Sequence, residues 1–578
     1  MAELTKDTNG PLIAAAGTID AAEDTHGIDP RIYARRWKTL VVLCTSLLIV
    51  IVGNTSLNVA LPTLARELNA STSSLQWMVD AYSLVFAGLL FTAGTIGDRF
   101  GRKGALQTGL GLFLVAAAFA TVADTSGQLI FARAIMGVAA AFVMPSTLSI
   151  LTNIFPAHER PKAIGIWAGI AGGGAAIGPI ASGWLVEHYW WGSVFLINVP
   201  IVTIALVAGA ILLPKSKDPE KQPLDFLGAG LSIVGLGSLV YGIIEGPHQG
   251  WTSPETLATF GISFAALALF AAWELRARFP MLDLRLFRDR RFSVASAGMS
   301  LTFFAMFGTF FLVAQYFQLV LGYSALESGL LQLPMAAVMM SVAPQVPKLV
   351  ARFGASRVVP VGLTFTATGL AVFSQVGVSS SIVMVYCSIL PLAFGMSMTM
   401  TPLTTLIMSS VPLGKAGVGS AMNDTTRELG GALGVAVLGS LVTSRYTSSL
   451  GPALTGLSDG ARSVADSGLT GALSVGREIG GAQGTALTDA ARQAFVDGLS
   501  VAAIVGSVIV FTAAVAAWNL LPKGTTVPFG AQPGTPGDAG RSSAAGDLVD
   551  DGVLEPTPTI TDASDDSLGG DLEPSLVD

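Results

Sequence analysis

Gly97-Asp98-Arg99-Phe100-Gly101-Arg102-Lys103 sets four charges between two apolar blocks, at about 75–96 and 104–123. Each block is long enough to cross a bilayer core of roughly 30 Å, which takes about 20 apolar residues as a helix. A short charged turn between two such blocks is the connection between two antiparallel membrane helices. Reading outward from it, the alternation of apolar block and charged connection continues in both directions. Fourteen blocks result: 39–61, 75–96, 104–123, 127–151, 162–185, 192–213, 225–244, 254–274, 292–319, 328–347, 356–377, 381–408, 416–442 and 494–521. None alternates with the period of a strand, so an outer-membrane barrel does not fit. The expected fold class is an all-α integral membrane protein.

Composition agrees. Of 578 residues, 51% are hydrophobic and 12% charged. That charged share is about half of what soluble domains carry. Mean hydropathy is +0.63. A soluble fold cannot hide this much apolar surface. The net charge of −7 sits in residues 523–578, which hold 11 acids and 2 bases. The rest of the chain is slightly basic, without the basic stripe a nucleic-acid partner requires. The two cysteines, Cys44 and Cys387, lie in apolar blocks and exclude a disulfide scaffold or a cysteine zinc cluster. No cleavable signal peptide is read, because the first block starts near Leu40 behind a polar tail.

Lys and Arg positions orient the spans. With the N-terminus inside, 25 of the 32 Lys/Arg fall on one side. They include Arg31, Arg35, Arg36, Lys38, the 97–103 turn, and six bases from Arg276 to Arg291. The positive-inside rule then puts both termini in the cytoplasm. An odd span count would scramble the pattern.

Residues 1–36 and 523–578 read as polar, disordered cytoplasmic tails, the second acidic. The outer connection 445–492 is rich in Gly, Ala, Ser and Thr, and either caps the outer mouth or is loose. An internal echo divides the remainder. Arg99-Phe100-Gly101 follows span 2, and Arg352-Phe353-Gly354 follows span 10, each with a base within three residues. This implies a six-span bundle over 37–214, two inserted spans over 215–276, and a second six-span bundle over 277–522. Internal repeats of this kind build alternating-access carriers.

Few charges interrupt the spans. Arg133 lies in span 4, where an unpaired cation costs several kcal/mol. It is either functional or a structural arginine reaching toward a polar surface. Asp80 lies about five residues, roughly 7–8 Å, inside the outer end of span 2. Arg133 is at matching depth in span 4, so the two can pair; otherwise Asp80 simply reaches water. In span 13, Asp424 and Glu428 are i,i+4 and share a face, and Arg427 is i,i+3 to Asp424. Asp424 is about eight residues, roughly 12 Å, past the inner end. A carboxylate there is a cation site or a protonatable switch, or half of a structural pair with Arg427. No GxSxG, HExxH or phosphate-binding loop occurs, and the four histidines have no metal spacing. No enzyme, metal or cofactor is expected.

These strings together resemble the major facilitator superfamily, in particular its fourteen-span drug:proton antiporters of the quaternary-ammonium and multidrug exporter type. Gly94 to Lys103 resembles the superfamily signature G-x-x-x-D-R-x-G-R-[RK]. The resemblance makes Gly97, Asp98, Arg99, Gly101, Arg102 and Lys103 a conformational latch. Physically, Asp98 can accept from a helix N-terminus or pair with Arg102. Gly174, Gly178, Pro179 and Gly183 in span 5 resemble the antiporter motif G-x-x-x-G-P-x-x-G-G, with Ser182 in place of one Gly. Arg133 resembles R-x-x-Q-G, with Met136 replacing Gln. Trp77-Met78-Val79-Asp80-Ala81-Tyr82 resembles the W-[MIV]-V-D-x-Y string of dye exporters. In span 1 the family pattern is D-x-T-x-x-N-x-A-L-P. Here Gly53 stands at the Asp, and Asn54 beside it hydrogen-bonds but carries no proton. Coupling is therefore expected at Asp80 and the span-13 group.

The resemblance implies a proton-coupled antiporter that exports bulky apolar or cationic compounds across the cell membrane, working as a monomer. The alternatives are export of a self-made antibiotic or lipid-like amphiphile, and a membrane sensor that uses the carrier fold without transport.

Overall fold

In the computed structural model, residues 28–68, 70, 72–216 and 225–522 are described. The acidic tail 523–578 and most of the N-terminal tail, both expected to be disordered, lie outside the described residues.

Fourteen helices among these residues are long and apolar enough to cross a membrane. They are span 1 Pro30–Thr55, span 2 Trp77–Phe100, span 3 Arg102–Thr121, span 4 Ser126–Ile154, span 5 Arg160–His188, span 6 Ser193–Leu212 and span 7 Phe226–Gly246. Span 8 Pro254–Glu274, span 9 Arg290–Val320, span 10 Leu326–Phe353, span 11 Ala355–Phe373, span 12 Ile382–Ser409, span 13 Leu413–Leu454 and span 14 Gly481–Leu520 follow. No strand occurs among the described residues.

The packing repeats with an offset of eight spans. Span 1 packs on 4, 5 and 6, and span 3 on 4 and 6. Span 9 likewise packs on 12, 13 and 14, and span 11 on 12 and 14. The seam between the bundles repeats as well. Spans 2 and 4 meet span 13, while spans 10 and 12 meet span 5. Spans 7 and 8 pack on each other, and span 7 lies against both span 2 and span 13. Span 7 thus covers one edge of the seam. Nothing in the sequence indicated where it would dock.

The helix ends have local causes. Asp29 accepts from Arg31 N and is followed by Pro30 at the first helical position, so span 1 starts inside the stretch expected to be a tail. Polar Arg31, Arg35 and Arg36 disguised that start. Arg36 then reaches the turn before span 5, with Nε 2.6 Å from Glu159 Oε2 and a second bond of 2.9 Å to Oε1. This hydrogen-bonded guanidinium holds the Glu159 carboxyl below the usual carboxylate range. A depressed folded-state value stabilises above the unfolded value and is lost as pH falls through the folded one. Glu159→Gln is therefore expected to lower the melting temperature in detergent at neutral pH. The difference from the parent should shrink on acidification; a gap that widens in acid would refute the assignment.

The connection at 445–492 is neither loose nor a simple loop. Span 13 stays α-helical to Leu450, helices Asp459–Asp466 and Leu469–Ile479 follow, and span 14 starts at Gly481. Tyr446 Oη donates to Ala465 O at 3.0 Å, tying the first of these helices to span 13. Gly476 and Gly484 approach so closely that a Cβ on Gly484 would strike Gly476 O. The Gly/Ser/Thr-rich composition hid these helices. Ser458 caps the first of them, accepting from Ala461 N at 3.3 Å.

Candidate functional site

Asp98 and Arg102 face each other across the turn after span 2. Arg102 Nε lies 2.7 Å from Asp98 Oδ1, with both side chains nearly buried. The pair also reaches the opposite bundle. Asp98 accepts from Gly417 N at 3.0 and 2.8 Å and from Val418 N at 3.3 Å. These are free N–H groups at the start of the helix Ala416–Leu450, where backbone dipoles favour an anion. Arg102 Nη2 donates to Leu413 O and Gly414 O at 2.8 and 2.9 Å. Two glycines permit the approach: a Cβ on Gly94 would lie 2.7 Å from Gly417 O, and one on Gly417 2.7 Å from Asp98 Cγ. Gly101, at φ +123°, makes the reversal into span 3. Lys103 Nζ donates to Ala210 O and Leu213 O at the end of span 6. Arg99 stacks on the Phe100 ring at 5.3 Å. The echo repeats that stack, Arg352 on Phe353 at 5.3 Å, and its positive-φ glycine, Gly354. It has Ala351 where the first copy has Asp98, so it carries no equivalent anion.

Span 5 uses its small residues on two sides. A Cβ on Gly178 would strike Thr55 Oγ1, and one on Gly174 would lie 2.9 Å from Leu48 of span 1. Gly165 faces span 10, where a Cβ would lie 2.7 Å from Ala343 O. Gly183 has more room, with Leu326 at 3.6 Å. Pro179 lies inside the helix. Ser182, at a position where the motif has glycine, donates to Ser56 O at 2.6 Å. The departure adds a bond to span 1.

Arg133 is fully buried and does not reach a polar surface. Its guanidinium donates to Met78 O at 2.9 Å, Gly53 O at 2.7 Å and Asn54 Oδ1 at 3.4 Å. The Tyr82 ring lies 4.5 Å away. An Asp80–Arg133 pair is not among the three ion pairs of the described residues. Matching depth did not make a pair, because backbone carbonyls of spans 1 and 2 and the Asn54 amide occupy the guanidinium. Asp80 instead borders a cavity at the far end of span 2.

Gly53 also has a physical reason. A Cβ there would lie 2.6 Å from Cζ of the buried Phe113 ring. An aspartate therefore does not fit without moving that ring. Gly53→Asp is expected to destabilise the protein by about 1–3 kcal/mol, the usual cost of overpacking. Adding Phe113→Leu should recover part of the loss in thermal melts. A Gly53→Asp protein that melts like the parent would refute this.

In span 13, Asp424 and Arg427 form a buried pair, Oδ1 to Nη1 at 3.4 Å. Asn423 Nδ2 donates to the same oxygen at 3.3 Å, and Thr404 of span 12 donates to Asn423 Oδ1. Asp424 Oδ2 is buried and accepts no hydrogen bond from the described residues. Arg427 lies 5.3 Å from the Trp167 ring of span 5 and 4.6 Å from the Phe303 ring of span 9. One cation is thus held between aromatic faces from both bundles. Glu428, one turn from Asp424, is half-buried. Sequence reasoning missed Trp167 and Phe303, since an aromatic inside an apolar block reads as core. Trp167, at the head of the small-residue run of span 5, was the available signal.

A multi-pass helical protein with two repeated bundles, a charged tie across one end of their seam and charges buried along it is a membrane carrier. The Major Facilitator Superfamily model matches residues 43–435, and the chain belongs to that family. It is 37% identical over 482 residues to the multidrug efflux pump LfrA of Mycolicibacterium smegmatis, covering 83% of this chain and 95% of that one. It is 33% identical over 497 residues to the methyl viologen resistance protein SmvA of Salmonella typhimurium, covering 85% and 99%. The solved structure of the proton:xylose symporter XylE superposes with a TM-score of 0.54 at 14% identity, over 85% of this chain and 96% of that one. That likeness supports the fold alone. The protein is a transporter, not an enzyme.

Proposed function

We propose that the protein exports bulky apolar or cationic compounds in exchange for protons. The bundles 37–214 and 277–522 rock about their seam, with the inserted spans 215–276 at its edge. The observation that carries this reading is the buried Asp424–Arg427 pair between Trp167 and Phe303, where both bundles meet. A carboxylate held there is placed to exchange a proton for a cation as the bundles move. Asp98 and Arg102 act as the latch of one end state, since each binds the backbone before or at the start of the span-13 helix. The names of the relatives, a multidrug efflux pump and a methyl viologen resistance protein, support the substrate class. The Lys/Arg bias supports the cytoplasmic membrane with both termini inside.

The test is dye export from proteoliposomes under an imposed pH gradient without ATP. Ethidium movement should follow the gradient and stop with an uncoupler. Movement unchanged by the uncoupler would end the antiporter reading. Export of neutral amphiphiles only, with no organic cation moved, would favour the lipid-like alternative.

A further inference from the structure

Span 8 ends at Glu274 and span 9 starts at Arg290, and the connection between them carries the chain from the inserted pair into the second bundle. It lies on the same side of the membrane as the Asp98–Arg102 tie, because an even number of crossings separates the two turns. Its backbone is fixed. Leu282 N donates to Oε2 of the buried Glu274 at 3.3 Å, and Met281 and Leu282 are themselves buried. Leu284–Arg288 forms a 3-10 turn, and Ser293 Oγ donates to Phe287 O at 2.6 Å. The Phe287 ring meets the buried Phe292 ring edge to face at 5.1 Å. This fixed turn displays five exposed arginines, Arg276, Arg278, Arg285, Arg288 and Arg290, with Arg291 half-buried beside them. Its two acids do not neutralise them. Asp283 accepts from Arg285 N at 3.0 Å and Asp289 from Arg291 N at 2.8 Å, both main-chain groups. None of the three ion pairs among the described residues includes any of the six arginines. Leu275, Phe279 and Phe287 are exposed among them, and the Arg278 guanidinium lies 5.6 Å from the Phe279 ring centre.

Orientation of the spans accounts for positive charge here, but lysine serves that rule as well as arginine. All six bases are arginine, whose planar guanidinium binds a phosphate through two parallel hydrogen bonds. Apolar side chains exposed at the ends of two spans have the hydrocarbon boundary within reach, while the arginine stems keep their charges at headgroup level. We propose that residues 275–291 form a binding site for the phosphate headgroup of an anionic phospholipid, with Leu275, Phe279 and Phe287 against its acyl chains. A lipid held there joins the end of span 8 to the start of span 9, so the inserted pair and the second bundle share one ligand. The site does not depend on what the protein exports.

The experiment uses the purified full chain in micelles of a neutral detergent. It measures equilibrium binding of phosphatidylglycerol and of phosphatidylcholine, each with the same fluorescent acyl chain. Phosphatidylglycerol is expected to bind about tenfold tighter. Arg278→Gln/Arg285→Gln/Arg288→Gln should abolish that preference. Lys348→Gln/Arg352→Gln/Arg357→Gln removes the same charge from around the turn between spans 10 and 11 and should leave it. Arg278→Lys/Arg285→Lys/Arg288→Lys keeps the charge without the guanidinium forks and should bind phosphatidylglycerol at least about threefold more weakly than the parent. Inorganic phosphate at the headgroup concentration should not displace the lipid, because it has no acyl chains. Equal binding of the two lipids, a preference that survives the Gln triple, one lost in the span 10–11 set, one fully kept by the Lys triple, or displacement by inorganic phosphate would each overturn the proposal. If the Gln triple does not fold, the parent decides by salt. Its preference should vanish toward about 1 M NaCl, where the screening length is about 3 Å; a preference that salt does not move would overturn the proposal.

Discussion

Asp98→Asn is expected to slow export by about one to two orders of magnitude, while the equilibrium affinity for substrate moves by no more than about twofold. The carboxylate binds Arg102 and two backbone N–H groups at once, all in a buried turn. Removing one partner of a buried pair costs about 3–5 kcal/mol, because the other charge is left without its counter-ion. If half of that falls on the step that closes this end, the rate falls by at least tenfold, since each 1.36 kcal/mol is one decade. Substrate contacts stay intact, because the pair sits at the end of span 2 and Asp424 lies about two turns into span 13. Gly417→Val should behave alike through sterics: a Cβ there would lie 2.5 Å from Gly94 O. The measurement is the initial rate of ethidium export in proteoliposomes, paired with a binding isotherm on the same preparation. A tenfold loss of affinity at unchanged turnover would move Asp98 from the latch to the substrate site.

The Asp98–Arg102 tie was the most legible part of the molecule. Its string is polar where both neighbours are apolar, so charge and position identified it before any contact was known. Its partners were less legible. Gly417 N and the Leu413 and Gly414 carbonyls are main-chain atoms, and residue identity does not announce them. The same cause explains Arg133. Depth arguments favoured Asp80, the nearest formal charge, but neutral carbonyls at Gly53 and Met78 satisfy the guanidinium with shorter geometry. Span count was legible because bilayer thickness fixes helix length. The helices Asp459–Asp466 and Leu469–Ile479 were not, because a segment poor in large apolar residues shows little periodicity even when a bundle packs against it. The docking of span 7 on the seam lay beyond sequence reading altogether, since a helix that is apolar on every face gives no direction.

Asp424→Asn is expected to reduce export of organic cations at least about a hundredfold, or about 2.7 kcal/mol, while the protein still inserts and binds neutral ligands. The two faces of the carboxylate differ. Oδ1 is engaged by Arg427 and Asn423, whereas Oδ2 is buried without a hydrogen bond from any described residue. An oxygen in that position is available to a proton or a cation. Arg427 is held by Trp167 and Phe303 on opposite bundles, so relative motion of the bundles changes the charge next to Asp424. Asp424→Glu keeps the charge and should retain part of the activity. A purely structural pair predicts otherwise. In that case Asp424→Asn lowers yield and melting temperature, because Arg427 loses its closest counter-ion in a buried site. Asp424→Asn/Arg427→Gln removes both charges and should restore folding under either reading. Export then decides. If the folded double variant moves no cation, Asp424 carries the exchange; if it exports cations at the parent rate, the pair is structural and the coupling carboxylate lies elsewhere, with Glu428 and Asp80 the next to be changed.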